Sequence, residues 1–201
     1  ETVQALDGIS TPLQYTLPNF DLTFRFLPTD FIQVNGEINR KMVSRAIELL
    51  SPGADDVVLD LFCGLGNFTL PIARSGARVV GVEGDETLVQ RARENSVDNS
   101  VDGVEFHAAN LFGDCEDFEW AKGKYDAVLL DPPRAGSREI LPVIGRSDAR
   151  RVVYVSCNPG TLARDVGILV AEYGFQLEGA GVMDMFPHTA HIESIAHLRR
   201  N

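Results

Sequence analysis

Apolar residues recur with two different spacings along this chain of 201 residues, and the change of spacing divides the chain in two. At 13–17 and 22–26 apolar and polar residues alternate, and Pro18 and Asn19 separate the two runs. Alternation with a period of two indicates β-strands, so we predict an antiparallel β segment within residues 1–30, left from a preceding domain. The pattern changes from residue 31, and residues 31–201 are predicted to form one domain.

The second part alternates between helical and strand patterns. Apolar positions from Ile38 to Leu50 fall on one helical face, and Ser51-Pro52-Gly53 ends that helix. Apolar runs at 57–61, 78–82, 126–130 and 152–155 predict strands, and helical stretches are predicted near 67–75, 86–95 and 160–173. Such strands between helices indicate an α/β fold with a mostly parallel, doubly wound sheet. Ligands bind beyond the carboxyl ends of its strands, so the residues that follow each strand are candidates for a site.

Cys157 follows one of these strands and directly precedes a predicted helix. Asn158 and Pro159 are residue types preferred at the N-cap and the first position of a helix. The free N–H groups and the positive dipole end of a helix favour the thiolate form of a nearby cysteine. A buried structural cysteine is the alternative, because free cysteines are commonly buried. The junction of strand and helix favours a nucleophile.

The turn after the first strand of the second part contains Gly64 and Gly66, which allow a sharp bend and a close approach to a ligand. A dinucleotide-binding turn would have a further glycine where this chain has Thr69, and the lysine of a phosphate loop is absent. Glu83 ends the next strand, where a carboxylate can bind both hydroxyls of a ribose. The alternative is a plain turn with an incidental surface glutamate. The pattern favours S-adenosylmethionine, a nucleoside cofactor without a pyrophosphate.

Two further strands end in polar residues. Asn110 follows the run 104–107, where its amide could bond an adenine edge. Asp131 follows the run 127–130 and precedes two prolines, which hold a rigid loop. We expect both residues to lie in the crevice that receives the cofactor.

His188, His191 and Glu193 lie close together near the C-terminus. They invite a metal-site interpretation, but the spacings of metalloproteases and deaminases are absent, so no metal is expected. The histidines are predicted to form local hydrogen bonds in a loop. Glu193 lies in a predicted last strand, 192–198, and a carboxylate at the mouth of an apolar cleft can act as a general base.

Composition limits the class of protein. The chain has 44% hydrophobic and 23% charged residues, which is typical of a globular domain. Its net charge of −11 would repel nucleic acid. Three cysteines without metal-ligand spacing indicate reduced thiols and a cytoplasmic location. No apolar run approaches the about 20 residues of a membrane span. The chain begins at Glu1, so we expect a fragment, and a monomer is the default.

Five segments together resemble the RNA uracil-C5 methyltransferases, which form 5-methyluridine and have a Rossmann-like class I fold. The segments are Phe31-Ile32-Gln33-Val34-Asn35, Asp60 to Phe68, Asp131 to Arg134, Ser156 to Pro159 and His191 to Ser194. The first, second and last are more similar to the branch that acts on large-subunit (23S) ribosomal RNA than to the branch that acts on tRNA. The resemblance implies an RNA substrate.

The resemblance also implies roles for individual residues. Cys157 would add to C6 of the uracil, C5 would take a methyl group from S-adenosylmethionine, and Glu193 would remove the C5 proton. Together with Gly64, the cofactor-side positions would be Gln33, Phe62, Asn67, Glu83, Asn110 and Asp131. Glu83 would hold the ribose, and the base would leave its stack to enter the pocket. A positive rim could come from Arg40, Lys41, Arg134, Arg138 and Arg164.

Related full-length enzymes carry an N-terminal RNA-binding domain and, in some branches, cysteines for an iron–sulfur cluster, and neither lies in these residues. We therefore expect the chain to bind the cofactor and to bind RNA weakly. Three alternatives stay open: a cytosine-C5 enzyme, a tRNA enzyme, and an inactive cofactor-binding fragment. An enzyme acting on an exocyclic amine would have an aromatic residue in place of Arg134.

Overall fold

A computed structural model describes residues 12–189 and 191–201 of the chain. Residues 1–11 of the predicted β segment lie outside the described residues. Within the described ranges the strands are β1 Leu13–Leu17, β2 Leu22–Phe26, β3 Val57–Leu61, β4 Arg78–Glu83, β5 Val104–Ala108, β6 Ala127–Leu130, β7 Arg151–Ser156, β8 Gln176–Met183 and β9 Glu193–Arg199. The α-helices are α1 Gly36–Leu50, α2 Thr69–Ala73, α3 Glu86–Asp98, α4 Leu141–Arg146 and α5 Pro159–Tyr173. None of these helices is long and apolar enough to cross a membrane.

Seven strands form one sheet in the order β5-β4-β3-β6-β7-β9-β8. The pairs from β5 to β7 are parallel, and β9 is antiparallel to both of its neighbours. The chain order reverses between β3 and β6, so a crevice opens where the carboxyl ends of these strands diverge. The predicted α/β class with a mostly parallel, doubly wound sheet is confirmed.

The central strands of the seven-stranded sheet send alternate side chains to two separate cores. Val153 and Val155 join the core that contains α1, α2 and α3, and Val152 and Tyr154 join the core with α4 and α5. Because both faces are covered, the central strands are apolar at nearly every position. This covering explains why continuous apolar runs, rather than alternation, identified them.

The first two strands form an antiparallel hairpin with Leu17 opposite Leu22. Leu17, Leu22 and Phe24 are almost fully buried in the same core as α1 and α3. The predicted strand pair is confirmed. The division of the chain at residue 30 stays a prediction, although the hairpin shares its core with the domain that follows.

The first long helix, α1, is capped at its start and ends at the predicted position. Asn35 caps α1 by accepting a hydrogen bond from the Ile38 N–H, and Ser51 ends the helix in a left-handed conformation. β8 had no sequence signature, because seven of its eight residues are exposed and it forms an edge of the sheet. An edge strand that is open on both faces has no apolar alternation to detect.

Candidate active site

A cavity of about 440 Å³ opens at the carboxyl edge of the sheet. Its volume lies within the range of small-molecule sites. Eight of the nine predicted site residues line it: Gln33, Phe62, Gly64, Asn67, Glu83, Asp131, Cys157 and Glu193. The parallel strands bring residues that are far apart in sequence to one edge, as the pattern of strand ends predicted.

Cys157 lies between β7 and α5, half-buried, and its thiol is free. The predicted cap is present, because Asn158 Oδ1 accepts a hydrogen bond from the Gly160 N–H at 3.0 Å and Pro159 is the first residue of the helix. The Asn158 side chain also donates to the Arg134 carbonyl at 3.1 Å. The cap thereby fixes the Asp-Pro-Pro-Arg loop beside the thiol.

Glu193 approaches Cys157 through the antiparallel pairing of β7 and β9. Ser156 is paired with Ser194 in that register, and the Ser194 hydroxyl donates to the Ser156 carbonyl at 2.8 Å. The next position in this register sets Cys157 opposite Glu193, and both residues line the cavity. A thiol just after the end of β7 and a carboxylate at the start of β9 therefore lie on one wall of the cavity.

The electrostatics of the thiol correct one expectation. Burial, followed by the carboxylates of Glu193 and Asp131, raises the pKa of the Cys157 thiol, while a backbone hydrogen bond and Arg134 lower it by less. The helix N-terminus is present but does not prevail, so the predicted thiolate is wrong for the protein without ligands. Burial and neighbouring carboxylates both disfavour the charged form of a thiol.

Three carboxyl groups at this edge of the sheet hold protons more tightly than usual. Burial raises the pKa of Glu193 to about 7. Burial, then Glu193 and Asp60, raises the pKa of Asp131 to about 8. Asp60 is fully buried beneath them, accepts a hydrogen bond from Thr69 at 2.5 Å, and has its pKa raised to about 7, mainly by burial. Proton exchange near neutral pH is therefore available in the cavity wall.

The glycine turn is held by Glu83. Its carboxylate accepts hydrogen bonds from the N–H groups of Gly64 at 3.0 Å, Gly84 at 2.7 Å and Asp85 at 3.0 Å. Three backbone contacts thus tie Glu83 to the turn, which favours the predicted site over an incidental surface glutamate. Phe62 adopts a φ of 62°, a conformation that is rare for a bulky residue and that clusters at ligand sites.

The residues around this turn fit S-adenosylmethionine. A Cβ added at Gly64, whose φ is +55°, would meet no atom within 4 Å, so the space beside the turn is open. Glu83 presents an acid to that space from the end of β4, and Phe62 and Leu88 supply apolar walls. An acid, an open turn and apolar surfaces are what a nucleoside with a ribose and no pyrophosphate needs.

Two predicted cofactor residues are placed differently from the other five. Asn67 lines the cavity, but its side-chain amide forms a reciprocal pair with that of Asn39, with hydrogen bonds of 3.1 and 3.0 Å. Asn110 is exposed, does not line the cavity, and accepts a hydrogen bond from the Phe112 N–H at 3.1 Å. The expectation that Asn110 lies in the crevice is therefore wrong for this structure, because its loop turns back on itself after β5.

The predicted positive rim is only partly present. Arg134 lines the cavity. Arg164 is bound by Asp165 at 2.7 Å and by the Ala135 carbonyl at 3.0 Å, so it supports the loop beneath. Arg40 and Lys41 line a separate groove beside Ser44. Tyr15 lines the cavity as well, and the strand pattern that contained it gave no sign of this position.

The loop that carries the two histidines forms local hydrogen bonds. The Thr189 N–H donates to the Phe186 carbonyl, and the His191 N–H donates to Thr189 Oγ1, both at 3.1 Å. Across residues 12–189 and 191–201, no group of three or more His, Cys, Asp and Glu side chains is arranged to hold a metal ion.

Comparisons with known proteins identify the chain's relatives. The family model described as tRNA (Uracil-5-)-methyltransferase matches residues 13–201. The chain is 55% identical over 196 residues, 98% of its length, to the 23S rRNA (uracil(1939)-C(5))-methyltransferase RlmD of Stenotrophomonas maltophilia strain K279a. It is 56% identical over 185 residues, 92% of its length, to the protein of the same name from Dechloromonas aromatica. The chain spans 44% and 43% of these two relatives, less than half of each.

A solved structure agrees with these matches. The Pyrococcus abyssi tRNA (uracil-54, C5)-methyltransferase in complex with S-adenosyl-L-homocysteine superposes with a TM-score of 0.78 at 31% identity. The alignment covers 93% of this chain and 44% of that chain. The family that the five sequence segments predicted is confirmed, and so is the methyltransferase fold.

Proposed function

The chain belongs to the tRNA (uracil-5-)-methyltransferase family, and from this we propose that it is the catalytic part of an enzyme that methylates C5 of a uridine in RNA. One observation carries the proposal: Cys157 and Glu193 share a cavity with the Glu83-bound glycine turn. A nucleophile and a base beside a nucleoside site are the groups that this reaction requires.

S-adenosylmethionine, when bound, supplies the methyl group that C5 receives. The cavity-lining residues that would hold it are Gln33, Phe62, Gly64, Glu83 and Asp131. Glu83 would accept a hydrogen bond from a ribose hydroxyl at Oε2, the oxygen that carries only one backbone hydrogen bond. Asn67 would act through the turn, because its amide is taken by Asn39. For Asn110, contact with the adenine would require its loop to move.

The chain's own residues would perform the covalent steps. The Cys157 thiol gives its proton to solvent, and the thiolate adds to C6 of the uracil. The π electrons of the C5–C6 bond move toward O4, which makes C5 nucleophilic. After C5 has gained the methyl group, Glu193 takes the C5 proton. The electrons of the C5–H bond restore the C5–C6 double bond, and the sulfur leaves as thiolate. The target base would be rotated out of its stack to reach these groups.

The RNA target forms the finer part of the proposal. The relatives named for uracil in 23S ribosomal RNA favour a ribosomal RNA substrate, and the relative named for tRNA makes tRNA the second candidate. A cytoplasmic location follows from such a substrate. With a net charge of −11, this chain is expected to bind RNA weakly by itself and to remain a monomer. Any iron–sulfur cluster would belong to residues outside this chain.

Covalent trapping tests the reaction. RNA containing 5-fluorouridine should form an adduct with the protein that survives denaturation. Fluorine replaces the C5 proton that the base would remove, so the sulfur cannot be released from C6. Peptide mapping should locate the adduct at Cys157, and Cys157→Ala should abolish it. A chain that binds S-adenosylhomocysteine but never forms the adduct would be a cofactor-binding fragment, and the enzymatic proposal would then be wrong for it.

The substrate is tested in cells and with purified RNA. Mass mapping of 5-methyluridine in RNA from cells that lack the gene should show the loss of one or more sites in 23S ribosomal RNA. A loss confined to tRNA would overturn the ribosomal assignment, and a loss of 5-methylcytidine would favour the cytosine alternative. Isothermal titration should show cofactor binding and weak binding of a target hairpin, and tight binding of the hairpin would contradict the expected weak affinity.

A further inference from the structure

The N-terminal hairpin touches the cofactor turn through a buried cluster of polar side chains. The Tyr15 hydroxyl on β1 donates to Asn67 Oδ1 at 2.9 Å. The same oxygen accepts from Asn39 Nδ2 at 3.1 Å, and Asn67 Nδ2 returns a hydrogen bond to Asn39 Oδ1 at 3.0 Å. Asn39 lies on α1 and is 2% exposed. The side chain that ends the glycine turn is thus fixed between a strand and a helix.

A second contact joins the other strand of the hairpin to the same turn. Asn95 on α3 is fully buried, accepts a hydrogen bond from the Arg25 N–H at 2.8 Å and donates to the Arg25 carbonyl at 3.2 Å. Its Nδ2 also donates to the Leu65 carbonyl, between the two glycines, at 3.3 Å. One amide therefore binds both β2 and the centre of the cofactor turn.

One helical turn further on, the side-chain amide of Asn99 forms the same pair of hydrogen bonds with another backbone residue of β2. It accepts from the Thr23 N–H at 2.8 Å and donates to the Thr23 carbonyl at 2.7 Å. β2 has a neighbouring strand on one edge only, and two side-chain amides form the backbone hydrogen bonds on its other edge. These bonds fix the hairpin to α3. Asn99 has no hydrogen bond to residues 62–68, so the two asparagines differ in their connection to the turn.

We propose that Tyr15 and Asn95 are positioning residues for the cofactor turn, so that the hairpin β1–β2 is a working part of the S-adenosylmethionine site. This inference rests on the proposed cofactor. Gly64 and Gly66 have φ angles of +55° and +94°. Glycine populates many backbone conformations, so fixing this turn in one of them costs more conformational entropy than for other residues. Contacts from the hairpin side hold it in the conformation that presents Gly64 to the cavity.

The proposal changes the expected boundary of the functional unit. A cut at residue 30 would separate Tyr15 and Arg25 from the turn that they support, even though every predicted site residue lies beyond the cut. Removal of the hairpin should therefore weaken cofactor binding even though all nine predicted site residues would remain.

Tyr15→Phe is the first test, with binding of S-adenosylhomocysteine measured by isothermal titration. The loss of one buried hydrogen bond to the turn is expected to weaken binding roughly three- to tenfold. Tyr125→Phe is the matched control, because the Tyr125 hydroxyl is also buried and donates to the Trp120 carbonyl at 2.6 Å in the other core. It removes the same atom and should leave the affinity unchanged.

Asn95→Ala and Asn99→Ala form a second matched pair. Both loosen the hairpin from α3, but Asn95→Ala alone also frees the Leu65 carbonyl. Hydrogen–deuterium exchange of the peptide covering residues 62–68, measured well below the melting temperature, should accelerate in Tyr15→Phe and Asn95→Ala. It should stay near the parent rate in Asn99→Ala and Tyr125→Phe.

The outcomes separate this inference from the proposed function. If the parent chain does not bind S-adenosylhomocysteine, the proposed cofactor is wrong. If the parent binds it, and Tyr15→Phe matches Tyr125→Phe in both affinity and exchange, the positioning role is overturned. If Asn95→Ala is too unstable for titration, its exchange pattern relative to Asn99→Ala still decides whether the Leu65 contact orders the turn.

Discussion

Cys157 and Glu193 stand opposite each other one position beyond the last paired residues of β7 and β9, Ser156 and Ser194. Directly opposed residues of an antiparallel pair point to the same face of the sheet. The pairing of the last strand with β7 therefore brings the base to the nucleophile. A slip of one residue in that register would turn Glu193 to the other face.

The nucleophile is tested by substitution of single cysteines. Cys157→Ala should lower the methylation rate roughly 10⁴-fold or more, because it removes the proposed nucleophile for C6. Cys115→Ala is the control, since Cys115 is also a free thiol but lies outside the cavity. A methyl-transfer assay with a radiolabelled donor measures both. Comparable activity in Cys157→Ala and the parent would exclude the covalent mechanism.

Substitution of Glu193 should distinguish its role as the base from the role of Cys157 as the nucleophile. Glu193→Gln keeps the shape of the side chain but cannot accept the C5 proton, so the covalent RNA adduct should accumulate with unmodified uridine. Denaturing gel electrophoresis detects the adduct. Glu178→Gln, on the exposed strand β8, should show no such accumulation. Normal turnover by Glu193→Gln would assign proton removal to another group.

The methylation rate should rise with pH. Burial raises the pKa of Glu193 to about 7, and a base acts only when it is unprotonated, so the rate should increase through about pH 7. The raised pKa of the Cys157 thiol should extend the increase to higher pH, as more thiolate forms. A profile of kcat/KM against pH measures this, and a decline between about pH 6 and pH 8 would contradict these assignments.

Stability should change with pH in the opposite direction. Asp60, Asp131 and Glu193 have their pKa values raised to about 7, 8 and 7, so between about pH 4 and pH 8 the folded protein binds more protons at these groups than the unfolded chain. The free energy of unfolding contributed by these groups therefore falls as pH rises through this range. Thermal melts of the ligand-free protein should show the decline. Asp131→Asn should make it shallower, whereas Asp102→Asn, at an exposed position, should not.

Glu83 should dominate cofactor affinity. Glu83→Gln removes the charge that accepts three backbone hydrogen bonds, and it weakens the acceptor for the ribose hydroxyls. Affinity for S-adenosylhomocysteine is expected to fall roughly 10- to 100-fold, as for other hydrogen bonds to a charged group. Glu86→Gln, three residues along and exposed, is the control for isothermal titration. An affinity within about twofold of the parent would exclude contact between Glu83 and the ribose.

The sequence by itself determined the fold class and the edge of the sheet at which the site lies. Apolar runs identify strands that are covered on both faces, and the residues that follow such strands must meet at one edge. Cys157, Glu83 and Asp131 could therefore be placed in one crevice from their positions after strands. The exposed strand β8 could not be predicted, because it has no periodic apolar pattern. The position of Asn110 could not be predicted either, because it depends on the course of a loop.

Tertiary structure alone decided the protonation of the site and the support of the cofactor turn. The helix N-terminus that predicted a thiolate is local, but the carboxylates that oppose it come from β6 and β9, which are distant in sequence. The contacts of Tyr15 with Asn67 and of Asn95 with Leu65 likewise join residues 52 and 30 positions apart. Short-range sequence patterns predict helices and strands. The pKa values of the site and the conformation of the cofactor turn depend on groups that only folding brings together.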